Sequence, residues 1–233
     1  MRRVLLCLLI ICAALLCGQN VAAQTATPTP APDAIDTSGT PAQIVKRIQE
    51  AGLAPEGRPI YTLPSAFAST ADPNYSRLML GGSLRLRDFV LGVTLTLRQV
   101  GAGSACGLLF RANSAFDAGS LLLIYDKNDV ALAQFDATSA GLQYVESLRT
   151  LDATKPLPLL LIAQGPRILL YIDGKLQADQ TTRGPITRGY LTLLVYNLPG
   201  NRTLTDCRYR NLWAWTFDPA DLKPTATPTP EIF

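Results

Sequence analysis

Leu157–Leu176, LPLLLIAQGPRILLYIDGKL, holds two short apolar runs with one turn signal between them and another after the second. Leu157–Ala163 and Ile168–Ile172 span seven and five residues, lengths that suit strands rather than helices. Their unbroken apolar character suits strands covered on both faces. Gln164-Gly165-Pro166 marks a turn between them. Asp173-Gly174 fits the two left-handed positions of a type I′ turn, so Ile168–Leu176 is expected to fold into a tight hairpin.

The same reading extends outward. Val93, Leu95 and Leu97 alternate with Thr94, Thr96 and Arg98, and Leu84 and Leu86 alternate with Arg85 and Arg87, the period-2 pattern of a half-buried strand. Leu121–Tyr125 and Leu191–Tyr196 are further dense apolar runs. Ten or more short strands after about residue 58 imply a β-sandwich. Gly101-Ala102-Gly103-Ser104 reads as a hairpin loop rather than a phosphate cradle. One helix precedes the strands. Thr40 caps it, Pro41 suits its first position, Gln43 completes a capping box, and Gly52 ends it. Ile44, Val45, Ile48 and Ala51 share one face.

The ends of the chain have a different composition. Arg2 and Arg3, the apolar run Val4–Leu16 and the small residues Val21-Ala22-Ala23 predict a signal peptide over 1–23, with the mature chain starting at Gln24. A retained membrane anchor and a lipoprotein attached through Cys17 are the alternatives. The hexapeptide TATPTP occurs at Thr25–Pro30 and again at Thr225–Pro230, and proline at that density favours an extended, solvated spacer. The expected layout is a Thr/Pro-rich linker at 24–39, the helix and a connector at 40–57, the sandwich at 58–218, and a Thr/Pro-rich tail at 219–233. Of 21 basic and 18 acidic residues, cleavage removes only Arg2 and Arg3, so the net charge falls from +3 to near +1. That balance gives no electrostatic footprint for nucleic acid, and no membrane association is expected after cleavage. Cys7, Cys12 and Cys17 leave with the signal peptide. Cys106 and Cys207 remain, in a chain bound for an oxidising compartment, and are expected to form a disulfide.

Several segments carry a family resemblance. Cys106–Arg111 (CGLLFR) resembles the "GLxFR" strand of the concanavalin A-like lectin/glucanase superfamily of jelly rolls. Leu159–Gly165 followed by Ile168–Leu176 resembles its central hairpin, Arg188–Leu193 its "GxxGL" strand, and Tyr209–Leu212 its closing "FxNxxV" strand. The likeness covers about residues 80–217 and is similar to bacterial laminin-G-like modules and 3-keto-disaccharide hydrolase-type domains. It implies an all-β jelly-roll β-sandwich, here with one N-terminal amphipathic helix. These motifs describe scaffold positions and say little about function.

The catalytic inventory is thin. The chain has no histidine, which removes the commonest general base and most zinc sites. Glu146 is the only glutamate within the expected sandwich, and the acidic pairs of the resembled glucanases have no counterpart, so no catalytic residue is assigned. Asp126, Asn128 and Asp129 form an oxygen-rich loop that calcium could occupy or that could be a plain turn. Asn74-Tyr75-Ser76 and Asn201-Arg202-Thr203 match the N-glycosylation pattern.

Trp213 and Trp215 share one parity on the last expected strand. Strict alternation puts them with Tyr209, whereas the resembled family turns Tyr209, Leu212 and Ala214 inward, with a bulge near Asn211 that sends both tryptophans outward. There they could stack on a sugar ring or receive the apolar stripe of the helix, which must be buried somewhere. The expected function is that of a secreted, non-catalytic module binding carbohydrate, a glycan or cell-surface polymer, or another extracellular ligand. The alternatives are a degenerate hydrolase acting on a disaccharide-like substrate and a purely structural cell-surface domain.

Overall fold

The computed structural model describes residues 29–71, 74–79, 84–99, 103–125, 129–135, 151–152, 155–182, 186–197 and 201–222. The chain divides into two units, 1–30 and 31–233. The expected signal peptide belongs to the first and lies outside the described residues. The described helices and strands all belong to the second.

Helix α1 spans Pro41–Glu50. The Thr40 hydroxyl accepts the Gln43 amide, while the Gln43 side chain accepts the Thr40 amide, so both halves of the capping box form. Gly52 takes the left-handed φ of 70° that stops the helix. Strands follow at Arg58–Thr70 (β1), Asn74–Met79 (β2), Arg85–Leu86 (β3), Phe89–Gln99 (β4), Ala105–Ala112 (β5) and Gly119–Tyr125 (β6). The remainder are Val130–Phe135 (β7), Leu157–Gln164 (β8), Arg167–Ile172 (β9), Lys175–Thr181 (β10), Gly189–Asn197 (β11) and Thr205–Thr216 (β12), before the short helix α2 at Pro219–Leu222.

All named pairings are antiparallel and build two sheets. Sheet A runs β1-β12-β4-β8-β9-β10; sheet B runs β2-β11-β5-β6-β7, with β3 also on β11. The architecture is a jelly-roll β-sandwich. The hairpin between β9 and β10 closes through Asp173 and Gly174 at φ 51° and 70°, with Ile172 opposite Lys175, as a type I′ turn requires. Gln164 opposes Arg167 across Gly165-Pro166. The stretch around Gly103 differs from its reading as a hairpin loop. β4 lies in sheet A and β5 in sheet B, so it joins the sheets instead of closing a hairpin.

The two sheets meet on alternate residues. Phe89, Leu91, Val93, Leu95 and Leu97 of β4 face Cys106, Leu108 and Phe110 of β5, with Phe89 and Phe110 edge-to-face at 5.8 Å. Two further links cross this interior. Cys106 and Cys207 form a disulfide with Cα atoms 5.6 Å apart, tying β5 to β12. The Tyr209 hydroxyl, fully buried, donates within reach of the Leu194 and Gly107 carbonyls (2.6 and 3.0 Å) and accepts the Gly107 amide at 3.2 Å. Burial pushes its pKa well up, so it stays a neutral donor.

Arg111, the arginine of the CGLLFR motif, is also a scaffold residue. It is buried at φ 53°; its Nε donates to the Arg87 carbonyl at 2.7 Å and its Nη2 approaches Asp88 at 3.4 Å. Asp88 in turn accepts the Gly165 amide at 2.8 Å and the Arg87 Nε at 3.0 Å. Burial lowers the Arg111 pKa to about 10, with Asp88 opposing the shift, so the cation persists at neutral pH.

A third layer lies on the outer face of sheet A. Ile44, Val45 and Ile48 of α1 pack with Val90, Leu160, Ile162, Leu169, Tyr171, Trp213 and Phe217. The segment before α1 contributes too. Ala34 bridges to Lys175, Ile35 is buried, and the Tyr171 hydroxyl donates to the Pro32 carbonyl at 3.1 Å.

Candidate functional site

α1 covers only one end of that outer face. Along β4 the outward residues are Val90 and Gly92 at the covered end, then Thr94, Thr96 and Arg98. Along β12 they are Trp213 at the covered end and Arg210, Arg208 and Asp206 at the other, since Tyr209 and Cys207 point into the sandwich. The change of parity occurs at Asn211, which takes φ 51° where the β12–β4 register slips between Arg210 and Trp213. Asparagine tolerates the left-handed region better than most residues, and the bulge lets Tyr209 and Leu212 both face inward.

An open groove of about 1040 Å³ lies at the uncovered end, where β1 pairs with β12. Tyr61, Phe67, Leu204, Asp206, Arg208 and Arg210 line it, with the exposed Ser65 and Ser69 between. Phe67 is 69% exposed and Leu204 43%, the two large apolar side chains that are notably bare among the described residues. Phe67 opposes Arg208, and Ser65 opposes Arg210. Edge-strand position explains how β1 accommodates Pro59 and Pro64, which offer no amide to a further strand.

The charges here are not closed off. Arg208 Nε and Asp206 Oδ2 stand 3.7 Å apart, an ion-pair distance beyond hydrogen-bonding range. Asp206 Oδ1 and Arg208 Nε have no hydrogen-bond partner. Among the described residues, neither Arg210 nor Arg98 on neighbouring β4 has a partner, and both are exposed.

The sequence-derived candidates fall elsewhere. Trp213 is 8% exposed within the α1 layer, and its indole lies against Gly92 so closely that a Cβ there would have no room. Trp215, opposite Val90, is half-buried on the same cluster, and its Nε1 is buried without a hydrogen-bond partner. Asp126 and Asn128 lie outside the described residues; Asp129 is exposed and its carbonyl accepts the Tyr125 amide at 2.9 Å. Among the described residues no three His, Cys, Asp or Glu come together as a metal site would need. Asn201 uses its amide nitrogen to reach the Ser104 hydroxyl at 2.8 Å, beside a buried network in which Asn197 accepts from Ser104 and Thr205 at 2.7 and 2.6 Å. The strand of Asn74 is described, its side chain is not.

The groove itself was not among the sequence-derived candidates. Its one visible signal is the alternation Asp206-Cys207-Arg208-Tyr209-Arg210, which puts three charged residues on one face.

No family model matches the chain, and no curated protein matches it. Among solved structures, carbohydrate binding module CBM66 from Bacillus subtilis is similar with a TM-score of 0.52 and 21% identity, over 65% of this chain and 92% of that one. A Bacillus licheniformis β-glucanase gives 0.46 and 13%, over 68% and 100% of the two chains. The Emp47p carbohydrate recognition domain gives 0.49 and 12%, over 68% and 97%. The fold is the concanavalin A-like jelly roll, and at these identities the likeness establishes the fold alone.

Proposed function

We propose that this chain is a secreted, non-catalytic carbohydrate-binding module that takes its ligand in the groove between β1 and β12. The observation that carries this reading is Phe67, a large aromatic side chain left 69% exposed inside a groove that also presents Leu204 and a set of polar groups. An aromatic face suits the apolar C–H face of a sugar, while Arg208, Arg210, Asp206, Ser65 and Ser69 can bond its hydroxyls. Asp206 is the one carboxylate among the groove's described lining residues, whereas glycoside hydrolysis ordinarily uses two, which favours binding without cleavage. The carbohydrate-binding module of similar fold supports the same ligand class.

A glycan array with the mature chain beginning at Gln24 tests this, alongside Phe67→Thr. Binding that Phe67→Thr abolishes is the expected result. Binding that survives Phe67→Thr and quenches tryptophan fluorescence would move the platform to Trp213 and Trp215. Release of reducing sugar from a bound glycan would favour the hydrolase reading instead.

A further inference from the structure

We infer that the ligand of this groove is an acidic polysaccharide, a chain of uronic acid residues, an inference that rests on the carbohydrate-binding reading above. Two guanidinium groups, those of Arg208 and Arg210, line the groove against the single carboxylate of Asp206, and the exposed Arg98 lies on the adjacent strand β4, outside the lining. Successive outward residues on a strand lie two residues apart, so Arg208 and Arg210 stand about 7 Å from each other along β12. Arg98 stands beside Cys207 and Asp206 on the neighbouring strand, about 5 Å across.

The partners of these groups make the case. Four arginines elsewhere are paired with carboxylates: Arg111 and Arg87 with Asp88, Arg167 with Asp179 at 2.7 Å, and Arg47 with Asp36 at 3.3 Å. At the groove, Arg210 has no partner among the described residues and Arg208 has only the long contact to Asp206; Arg98, on β4 beside β12, has none among them either. A neutral glycan, whose hydroxyls both donate and accept, is usually held by a mixture of donors and acceptors, amides and carboxylates among them. Guanidinium groups only donate, and their paired N–H bonds match a carboxylate's two oxygens. Phe67, directly opposite Arg208, then places the stacking surface beside the cation, so one sugar ring could use both.

The chemistry discriminates against other polyanions. Two arginines in one groove, on a mature chain with a net charge near +1, fall short of the extended basic surface that a nucleic acid or a membrane requires. A polyuronate asks for less charge and offers a C–H face for Phe67.

Affinity electrophoresis and calorimetry of the whole mature chain against polygalacturonate, a neutral β-glucan and duplex DNA provide the test. Polygalacturonate should bind best. Its affinity should fall by about tenfold or more when salt shortens the screening length from about 10 Å to about 3 Å. Arg210→Gln should lower it by about tenfold or more, and Arg210→Lys should restore only part of the loss, because the ammonium lacks the paired geometry. Equal or tighter binding of the neutral glucan, lost in Phe67→Thr, would overturn the acidic specificity and leave the carbohydrate reading standing. Equal binding of DNA would reduce the groove to a general anion patch and overturn it as well. Binding of no glycan of either kind would overturn both.

Discussion

The two ends of the outer face of sheet A are made by the same strands and have opposite fates. At one end Val90, Gly92 and Trp213 lie beneath α1; at the other Thr94, Thr96, Arg208 and Arg210 face outward with no helix above them. The backbone is continuous β-structure through both, so the side chains decide the difference. An apolar stripe on an amphipathic helix has one good place to go, and the arginines and threonines of the far end give it no reason to extend there. Asn211 sits where the two regimes meet. If the same residues alternated strictly, with no bulge, Trp213 and Tyr209 would share a face, and the tryptophan would compete for space inside the sandwich.

The largest expected effect bears on both ends together, because both belong to one sheet. Cys106–Cys207 closes a separation of 101 residues between the sheets. Replacing both cysteines by Ala should destabilise the fold by up to about 4.7 kcal/mol on a chain-entropy estimate. Urea unfolding with and without reductant measures it, and non-reducing peptide mapping identifies the bond. Two freely alkylated thiols in the native protein, or identical midpoints in both conditions, would break the premise that the sheets are tied.

The covered end comes next. Trp213→Ala should cost about 3–5 kcal/mol, since it empties the space between Gly92 and α1. Ile48→Ala, a fully buried position on the facing helix, should cost about 2–5 kcal/mol, and the double variant should lose less than the sum because both open one space. Chemical denaturation reads all three. In the unmodified protein, Trp213 emission should be blue-shifted and resistant to acrylamide, with the half-buried Trp215 as the more accessible of the two. A loss under about 1 kcal/mol for Trp213→Ala would show that α1 does not rest on it.

Much of this was legible in the residues. The cap at Thr40, the Asp173-Gly174 turn and the alternation of Val93, Leu95 and Leu97 each depend on neighbours a few positions away, and all three form. The paired cysteines could be read because only two of the five fall outside the expected signal peptide. The groove was hidden for the opposite reason. It joins Phe67 to Arg208 and Ser65 to Arg210, pairings set by strand order and register across more than 100 residues, which local periodicity does not contain. β1 was obscure as well. Its prolines, serines and alanines do not alternate cleanly, because an edge strand is less tightly constrained than a central one.

The boundary itself supplies a smaller effect. Asn211→Val forces a β-branched side chain into φ 51° and should cost about 1–2 kcal/mol, whereas Asn211→Gly should cost less. Thermal melts of the two variants make the comparison. Equal losses would mean that the residue's hydrogen bonding, rather than its backbone conformation, sustains the bulge.

The smallest expected effect on stability belongs to the uncovered end, and it separates a binding surface from a structural one. Phe67 is 69% exposed, so its removal returns little apolar area to water. Threonine keeps the β-branched preference of a strand, so Phe67→Thr changes the aromatic surface without penalising β1. Arg210 has no partner among the described residues, so Arg210→Gln breaks no ion pair and strands no buried charge. Both variants should therefore unfold within about 0.5 kcal/mol of the parent, the range ordinary for surface positions. Their effect should appear in ligand affinity instead. A side chain that tolerates removal at no cost to the fold, yet sits bare in a groove, is retained for something other than packing. If Phe67→Thr instead lowered stability by about 2 kcal/mol or more, Phe67 would be a packing residue, and the contrast between the two ends of sheet A would collapse.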